Sequence, residues 1–188
     1  MLDFMSIVSL LLVAGLCGTV LAFQFITGVP PLSSLPGETA DVVALLKQAG
    51  IKERAIVYEL GCGWGSLVVA LAKAFPHAQI RGIELSPLPY WVARFRTRRM
   101  RNVHLQRRNF YECDLAGADA VTCYMMIKLM PRLAAFLDRT LKPGAAVVSV
   151  AFLFRDRQVN TFRERKAFAG IVALYLWPAQ PGADDRPV

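Results

Sequence analysis

Three glycines at alternate positions, Gly61, Gly63 and Gly65, stand between an apolar run, Ala55-Ile56-Val57-Tyr58-Glu59-Leu60, and a helical stretch from Ser66 to Phe75. A short apolar run bounded by turn residues reads as a buried strand, and a glycine turn leading straight into a helix opens a βαβ unit. Glycine at such a turn lets main chain approach a ligand closely, and the helix amino terminus behind it presents unpaired N–H groups. A tight βα connection without any ligand is the alternative reading of the same turn. Either way, the feature excludes an all-helical or all-antiparallel architecture for this part of the chain.

The pattern then repeats. Gln79 to Glu84 reads as a strand, Leu88 to about Arg98 as a helix, Val103 to Arg107 and Ala120 to Tyr124 as strands, Pro131 to Leu141 as a helix and Ala145 to Phe152 as a strand. Ile171 to Trp177 is a further candidate strand whose pairing direction is open, and Asp156 to Gly170 reads as helix, hairpin or loop alike. Ahead of the first strand, Thr39 to Ala49 is helical, with Thr39 as cap and Gly50 as stop. The expectation is an α/β fold: a Rossmann-like, doubly wound, mostly parallel sheet with helices on both faces.

The amino terminus has a different character. The chain has 188 residues, 55% hydrophobic and 19% charged, with a net charge of +8. From Phe4 to Val29 no side chain is charged. Crossing the hydrocarbon layer takes about 20 such residues, so one transmembrane helix is expected. A cleaved signal peptide ending near Val20-Leu21-Ala22 is the rival, but no Lys or Arg precedes the run. Lys47, Lys52 and Arg54 follow it, which places the carboxy-terminal domain in the cytoplasm of a bacterium, or in the matrix of a mitochondrion. The predicted divisions are an anchor over 1–29, a Pro-rich linker over 30–38, the α/β domain over 39–180 and a tail over 181–188. Cys17, Cys62, Cys113 and Cys123 form no C-x-x-C pair and only two histidines are present, so neither a metal site nor a disulfide framework is legible.

Two nucleotide-binding classes compete for the glycine turn. The dinucleotide fingerprint is G-x-G-x-x-G, whereas this chain has G-x-G-x-G with Glu59 two residues ahead of it. Glu84, at the end of the next strand, is placed to accept hydrogen bonds from both ribose hydroxyls of either ligand class. Glu59, Gly61, Gly63 and Gly65 match the E/D-x-G-x-G-x-G motif, and Leu141-Lys142-Pro143-Gly144 is similar to the L-K-P-G-G turn, of class I S-adenosylmethionine-dependent methyltransferases. The order of apolar helix, Pro-rich stretch, glycine motif and Met125-Met126 near Leu129-Met130-Pro131-Arg132-Leu133 further resembles the small membrane-anchored protein-lysine methyltransferases. These include mitochondrial enzymes that modify the ATP synthase c subunit and the adenine nucleotide translocase, together with bacterial relatives. The resemblance covers Val29 to Phe154.

It implies a seven-stranded class I sheet and S-adenosyl-L-methionine as cofactor, held by Glu59, Gly61, Cys62, Gly63, Gly65, Glu84, Asn109 and Phe110. It also implies that Pro30 to Glu38 and the first helix of the domain help close the pocket. Two departures stand out: Cys123-Tyr124 replaces the usual Gly-x-Pro before Met-Met, and Asn109-Phe110 follows the third strand where an acid is common. Tyr124 is the candidate acceptor-facing residue, with a core or rim tyrosine as the alternative. The N/D-P-P-Y signature of amide and adenine methyltransferases is absent, which weighs against a nucleic-acid base as acceptor.

Between Leu85 and Tyr111 lie seven arginines and no acid. Leu88, Trp91, Val92 and Phe95 are expected to form the buried stripe of the helix, with Arg94, Arg98 and Arg101 outside it. That leaves a solvated cationic face, contact with anionic headgroups, or binding to RNA, the last without an interleaved aromatic platform. The functional expectation is a membrane-anchored methyltransferase acting on a lysine of a membrane protein. A methyltransferase for a lipid or lipophilic small molecule and a non-catalytic cofactor-binding module at the membrane are the alternatives. The oligomeric state is open.

Overall fold

The computed structural model describes residues 3–27, 36–164 and 170–179. The elements in chain order are α1 (Phe4–Thr27), α2 (Pro36–Gln48), β1 (Ile56–Leu60), α3 (Ser66–Ala74), β2 (Gln79–Glu84), α4 (Pro87–Thr97), β3 (Val103–Arg107), β4 (Ala120–Cys123), α5 (Met130–Thr140), β5 (Ala145–Val150), β6 (Thr161–Glu164) and β7 (Ile171–Trp177). Seven strands form one sheet in the order β3-β2-β1-β4-β5-β7-β6. The five strands β1 to β5 are parallel, while β7 runs antiparallel to β5 and β6 antiparallel to β7. The sheet is therefore mixed at one edge.

Both faces are covered at the centre of the sheet, so β1, β4 and β5 are buried almost throughout and read as apolar runs, whereas the edge strands β3 and β6 are largely exposed. Side chains alternate between two cores with the period of two that a pleated strand imposes. Along β5, Ala145 and Val147 join α5 residues Leu133, Phe136 and Leu137, whereas Ala146, Val148 and Val150 join Val42, Leu45 and Leu46 of α2 and Leu67, Val68 and Leu71 of α3. On β7, Ala173, Tyr175 and Trp177 fall in the first core and Val172 and Leu174 in the second.

Two expected bounds are corrected and one open stretch is resolved. The domain's first helix begins at Pro36 rather than at Thr39. Proline without an N–H is well suited to a first helical turn, so Pro36-Gly37-Glu38 belongs to α2 and Thr39 is buried inside it. The rest of the expected linker, and the tail over 181–188, lie outside the described residues. The seventh strand, β6, comes from the stretch left open in sequence. Ala151 takes a left-handed φ of 69° just after β5, ending that strand short of Phe152.

Helix α4 is also turned the other way. Its buried residues are Pro89, Tyr90, Ala93 and Thr97, whereas Trp91 and Phe95 are 58% and 65% exposed. The cause is steric: a Cβ built on Gly65 would lie 2.9 Å from Cβ of Ala93 and 3.2 Å from its Cα, so only a small residue fits against the glycine turn.

Helix α1 has 24 residues without a charged side chain, and Phe4, Met5, Ile7, Leu10, Leu11 and Val13 on it are exposed. Among the described residues no helix is long and apolar enough to cross a membrane. The expected transmembrane span is therefore not shown by the fold.

Candidate active site

In an open α/β sheet, ligands bind at the carboxyl ends of the strands where successive connections leave on opposite faces. Here that point lies between β1 and β4, which are neighbours in the sheet although β2 and β3 intervene in sequence. Gly61, Gly63 and Gly65 leave the end of β1 with φ of 70°, 51° and 79°. At Gly61 the left-handed backbone coincides with a close approach, since an added Cβ would lie 2.8 Å from Cε of Met125, just beyond β4. The turn is tied down by Gly61 and Cys62, whose N–H groups both donate to the Ile83 carbonyl at 2.9 Å.

Glu84 holds this turn from below. Its Oε2 accepts from the Gly63 N–H at 2.7 Å and its Oε1 from the Ser86 N–H at 2.8 Å, so one carboxylate joins the glycine turn to the start of α4. The Arg108 N–H donates to the Glu84 carbonyl at 3.1 Å, which brings the loop after β3 to the same edge. Each carboxylate oxygen accepts more than one hydrogen bond, so this staple leaves capacity for the ribose hydroxyls expected at Glu84. Arg96, reaching from α4, donates to the Trp64 carbonyl at 2.7 Å and to Oγ of Ser66 at 3.1 Å, a second clamp on the turn that charge counting in the sequence had assigned to no role.

Glu59 is buried, and its Oε2 has no hydrogen-bond partner. Burial raises its pKa well above the usual carboxylate range, and the nearby Glu84 charge adds to the rise. The Val68 N–H in the first turn of α3 pulls the other way. A buried carboxyl with an orphan oxygen, beside three glycines at a strand end, fits a ligand that brings a positive charge and hydrogen-bond donors. Cys62 turns its thiol inward, 3.1 Å from a Cβ built on Gly82. Burial pushes its pKa well up, with help from Glu59 and Glu84, so it packs under the turn rather than reacting.

Tyr124 leaves the end of β4 half-buried. Desolvation raises its pKa and the neighbouring carboxylate of Glu38, on the first turn of α2, raises it further. The structure thus brings α2 to the acceptor side of the site. Glu38 was visible in sequence only as part of the stretch expected to close the pocket, since nothing local pairs it with a residue 86 positions away. Asn109 and Phe110 reach the same edge with other tasks: Oδ1 of Asn109 accepts from the Tyr111 N–H at 3.1 Å, and the Phe110 ring lies 4.3 Å from Tyr111 and 6.3 Å from Phe136. Met125, Ser86, Ala93 and Arg96 complete the shell and carry no sequence signature of their own.

Fold and site together define a class I, S-adenosylmethionine-dependent methyltransferase. An RNA methyltransferase from Salinibacter ruber, solved with S-adenosyl-L-homocysteine, superposes with a TM-score of 0.72 at 23% identity over 82% of this chain and all of that one. A precorrin-6y C5,15-methyltransferase from Geobacter metallireducens gives 0.55 at 17% identity, covering 71% of this chain and 86% of that one. Both likenesses are of fold. Residues 59–161 match the ANTKMT methyltransferase domain, and the chain belongs to that family. A protein-lysine N-methyltransferase of Saccharolobus islandicus is 29% identical over 130 residues, covering 68% of this chain and 81% of the relative.

Proposed function

We propose that this methyltransferase transfers a methyl group to the ε-amine of a lysine in a membrane protein, with α1 holding the catalytic domain at the bilayer. The observation that carries the acceptor class is Glu38, buried on the first turn of α2 and close enough to Tyr124 at the end of β4 for its charge to act on that phenol. A carboxylate there can receive an incoming amine as its ammonium before the amine loses its proton, and the family relationship to a protein-lysine enzyme agrees with it. S-adenosylmethionine supplies an electrophilic methyl on a sulfonium.

The protein's own residues do the rest. Glu59 would hold the methionine ammonium, whose charge would offset the burial and the Glu84 charge that raise its pKa. Glu84 would share its oxygens with the ribose, and the loop at Asn109 and Phe110 would hold the adenine. Glu38 and Tyr124 orient the incoming amine. With the cofactor bound, its sulfonium would present the methyl to a neutral lysine amine held at Tyr124 and Glu38, and the proton that the amine sheds would pass to solvent. Deprotonating lysine from a pKa of 10.4 at pH 7 costs about 4.6 kcal/mol in water, and a dry site beside a sulfonium lowers that cost. Holding donor and amine in near-attack contact supplies the main acceleration.

The anchor reading rests on the sequence, whose uncharged run from Phe4 to Val29 exceeds the about 20 residues that a bilayer span takes. Lys47, Lys52 and Arg54 after it set the domain on the cytoplasmic or matrix side. Membranes from a strain lacking this protein, incubated with the purified chain and methyl-labelled cofactor, test the proposal. Label recovered as methyl-lysine after acid hydrolysis of the protein fraction supports it. Label found only in extracted lipid overturns the lysine acceptor in favour of a lipid one.

A further inference from the structure

We infer that the outward face of α4 is a docking surface for an anionic lipid bilayer. Trp91, Arg94, Phe95 and Arg98 stand at positions i, i+3, i+4 and i+7 of one helix and so share one face. Trp91 is 58% and Phe95 65% exposed, and Leu85 at the start of the segment is 41% exposed. The guanidinium of Arg94 lies 5.7 Å from the Trp91 ring centroid and that of Arg98 3.8 Å from the Phe95 ring. Arg98 also donates to the Phe95 carbonyl at 2.8 Å.

A soluble surface has no use for two large aromatic rings interleaved with arginines, whereas the headgroup layer of a membrane suits both. Indole rings settle at the boundary between headgroups and acyl chains, and arginine stems lie along apolar surface while their charges reach phosphate. The segment from Leu85 to Tyr111 carries no acid to neutralise its seven arginines. That charge disfavours a second copy of the same face as the occupant. Arg98 occupies one face of the Phe95 ring, while the exposed Trp91 gives RNA the aromatic platform the sequence did not show, so RNA is an outcome that the test below decides.

Docking here would be felt at the active site. Ser86, the residue before α4, is bonded to Glu84, and Arg96 on the same helix clamps the glycine turn. A bilayer held against α4 therefore fixes the height of the cofactor edge above the headgroups and favours acceptors close to the membrane surface. This deepens the membrane reading of the function, and its test is separable from it.

The full chain is reconstituted in nanodiscs of zwitterionic lipid, or of the same lipid with anionic phosphatidylglycerol, each carrying brominated acyl chains that quench tryptophan. Quenching that appears in anionic discs and is lost in Trp91→Phe supports the proposal. Each basic residue near an anionic surface contributes about a fivefold factor, so Arg94→Gln, Arg98→Gln and Arg101→Gln together should weaken docking by about 100-fold. Cofactor binding, measured by calorimetry on the same sample, should stay within about twofold because none of the three belongs to the cofactor site. Equal quenching in zwitterionic discs, or quenching unchanged in Trp91→Phe, overturns it. Tight binding of labelled RNA that the triple variant abolishes, with no lipid dependence of quenching, also overturns it and assigns the face to RNA. A chain that enters neither disc refutes anchoring by α1; the same quenching is then read on preformed anionic vesicles, so the α4 proposal stands or falls independently.

Discussion

Glu84→Gln is the most informative single change, because its cost can be worked from geometry. The wild-type carboxylate accepts two backbone N–H bonds, 2.7 Å from Gly63 and 2.8 Å from Ser86. Glutamine keeps the shape but offers one acceptor oxygen, so one of those N–H groups meets an amide NH2 and loses its partner. A charge-assisted bond is worth about 1.5–3 kcal/mol and an orphaned buried donor about 1–3 kcal/mol. The two overlap, and the Ser86 bond is only partly buried. A loss of about 2–4 kcal/mol in unfolding free energy is expected, read from the urea midpoint at pH 7 with an unchanged m-value.

The same substitution removes an acceptor from the ribose. Affinity for S-adenosylhomocysteine should therefore fall about 10–100-fold by calorimetry. Glu84→Asp keeps the charge but is one methylene too short to reach both amides, and should fall between. Stability within about 0.5 kcal/mol of wild type, with affinity within about twofold, lies below the cost of any charged hydrogen bond and would refute the reasoning that this residue staples the turn to α4.

Glu59 yields a pH signature. Its folded pKa lies above the ordinary value of about 4.3, so between those two values the folded chain holds a proton that the unfolded chain has lost, and wild-type stability falls as pH rises. Glu59→Gln has no such penalty and should gain stability relative to wild type by up to about 1.4 kcal/mol per pH unit across that window, while binding the cofactor more weakly; a difference that is flat with pH would count against a buried titrating acid. Gly65→Ala places a Cβ against the backbone of Ala93 at a φ of 79° and should destabilise the fold by about 2–4 kcal/mol, combining left-handed strain with overpacking; thermal unfolding checks it.

Asp119 experiences burial, which raises its pKa, but hydrogen bonds from Lys142 and the Ile56 N–H hold it below the ordinary range. Its contribution is thus present above the unfolded pKa of about 3.9 and is lost as pH falls through the folded value. Asp119→Asn should be less stable than wild type at pH 7, and acid titration of both proteins should see the difference vanish in that low window. A Cys123 thiol pushed up to about 12 by burial should resist alkylation until the chain unfolds.

What the sequence determined by itself is whatever local chemistry specifies. The strands β2, β3 and β7 match their expected bounds because each lies between turn or helix signals, and β7, buried along most of its length, also reads as an apolar run. The glycine turn and the acids at Glu59 and Glu84 are equally legible, since left-handed backbone and close approach leave few residue types available. The tertiary structure decided whatever depends on a distant partner. Thr161–Glu164 is largely exposed and has no apolar alternation; only its pairing with β7 makes it a strand, and its charged residues suit a sheet edge.

The antiparallel direction of β7 and the meeting of Glu38 with Tyr124 are likewise long-range facts. Helix α4 makes the point most sharply. Its sequence carries two coherent stripes at helical spacing, and hydrophobicity favours burying the one with Trp91 and Phe95. The stripe of Pro89, Tyr90, Ala93 and Thr97 turned inward instead, because the glycine turn packs too closely for anything larger than Ala93 at that point. That choice left two aromatic rings and a row of arginines facing outward.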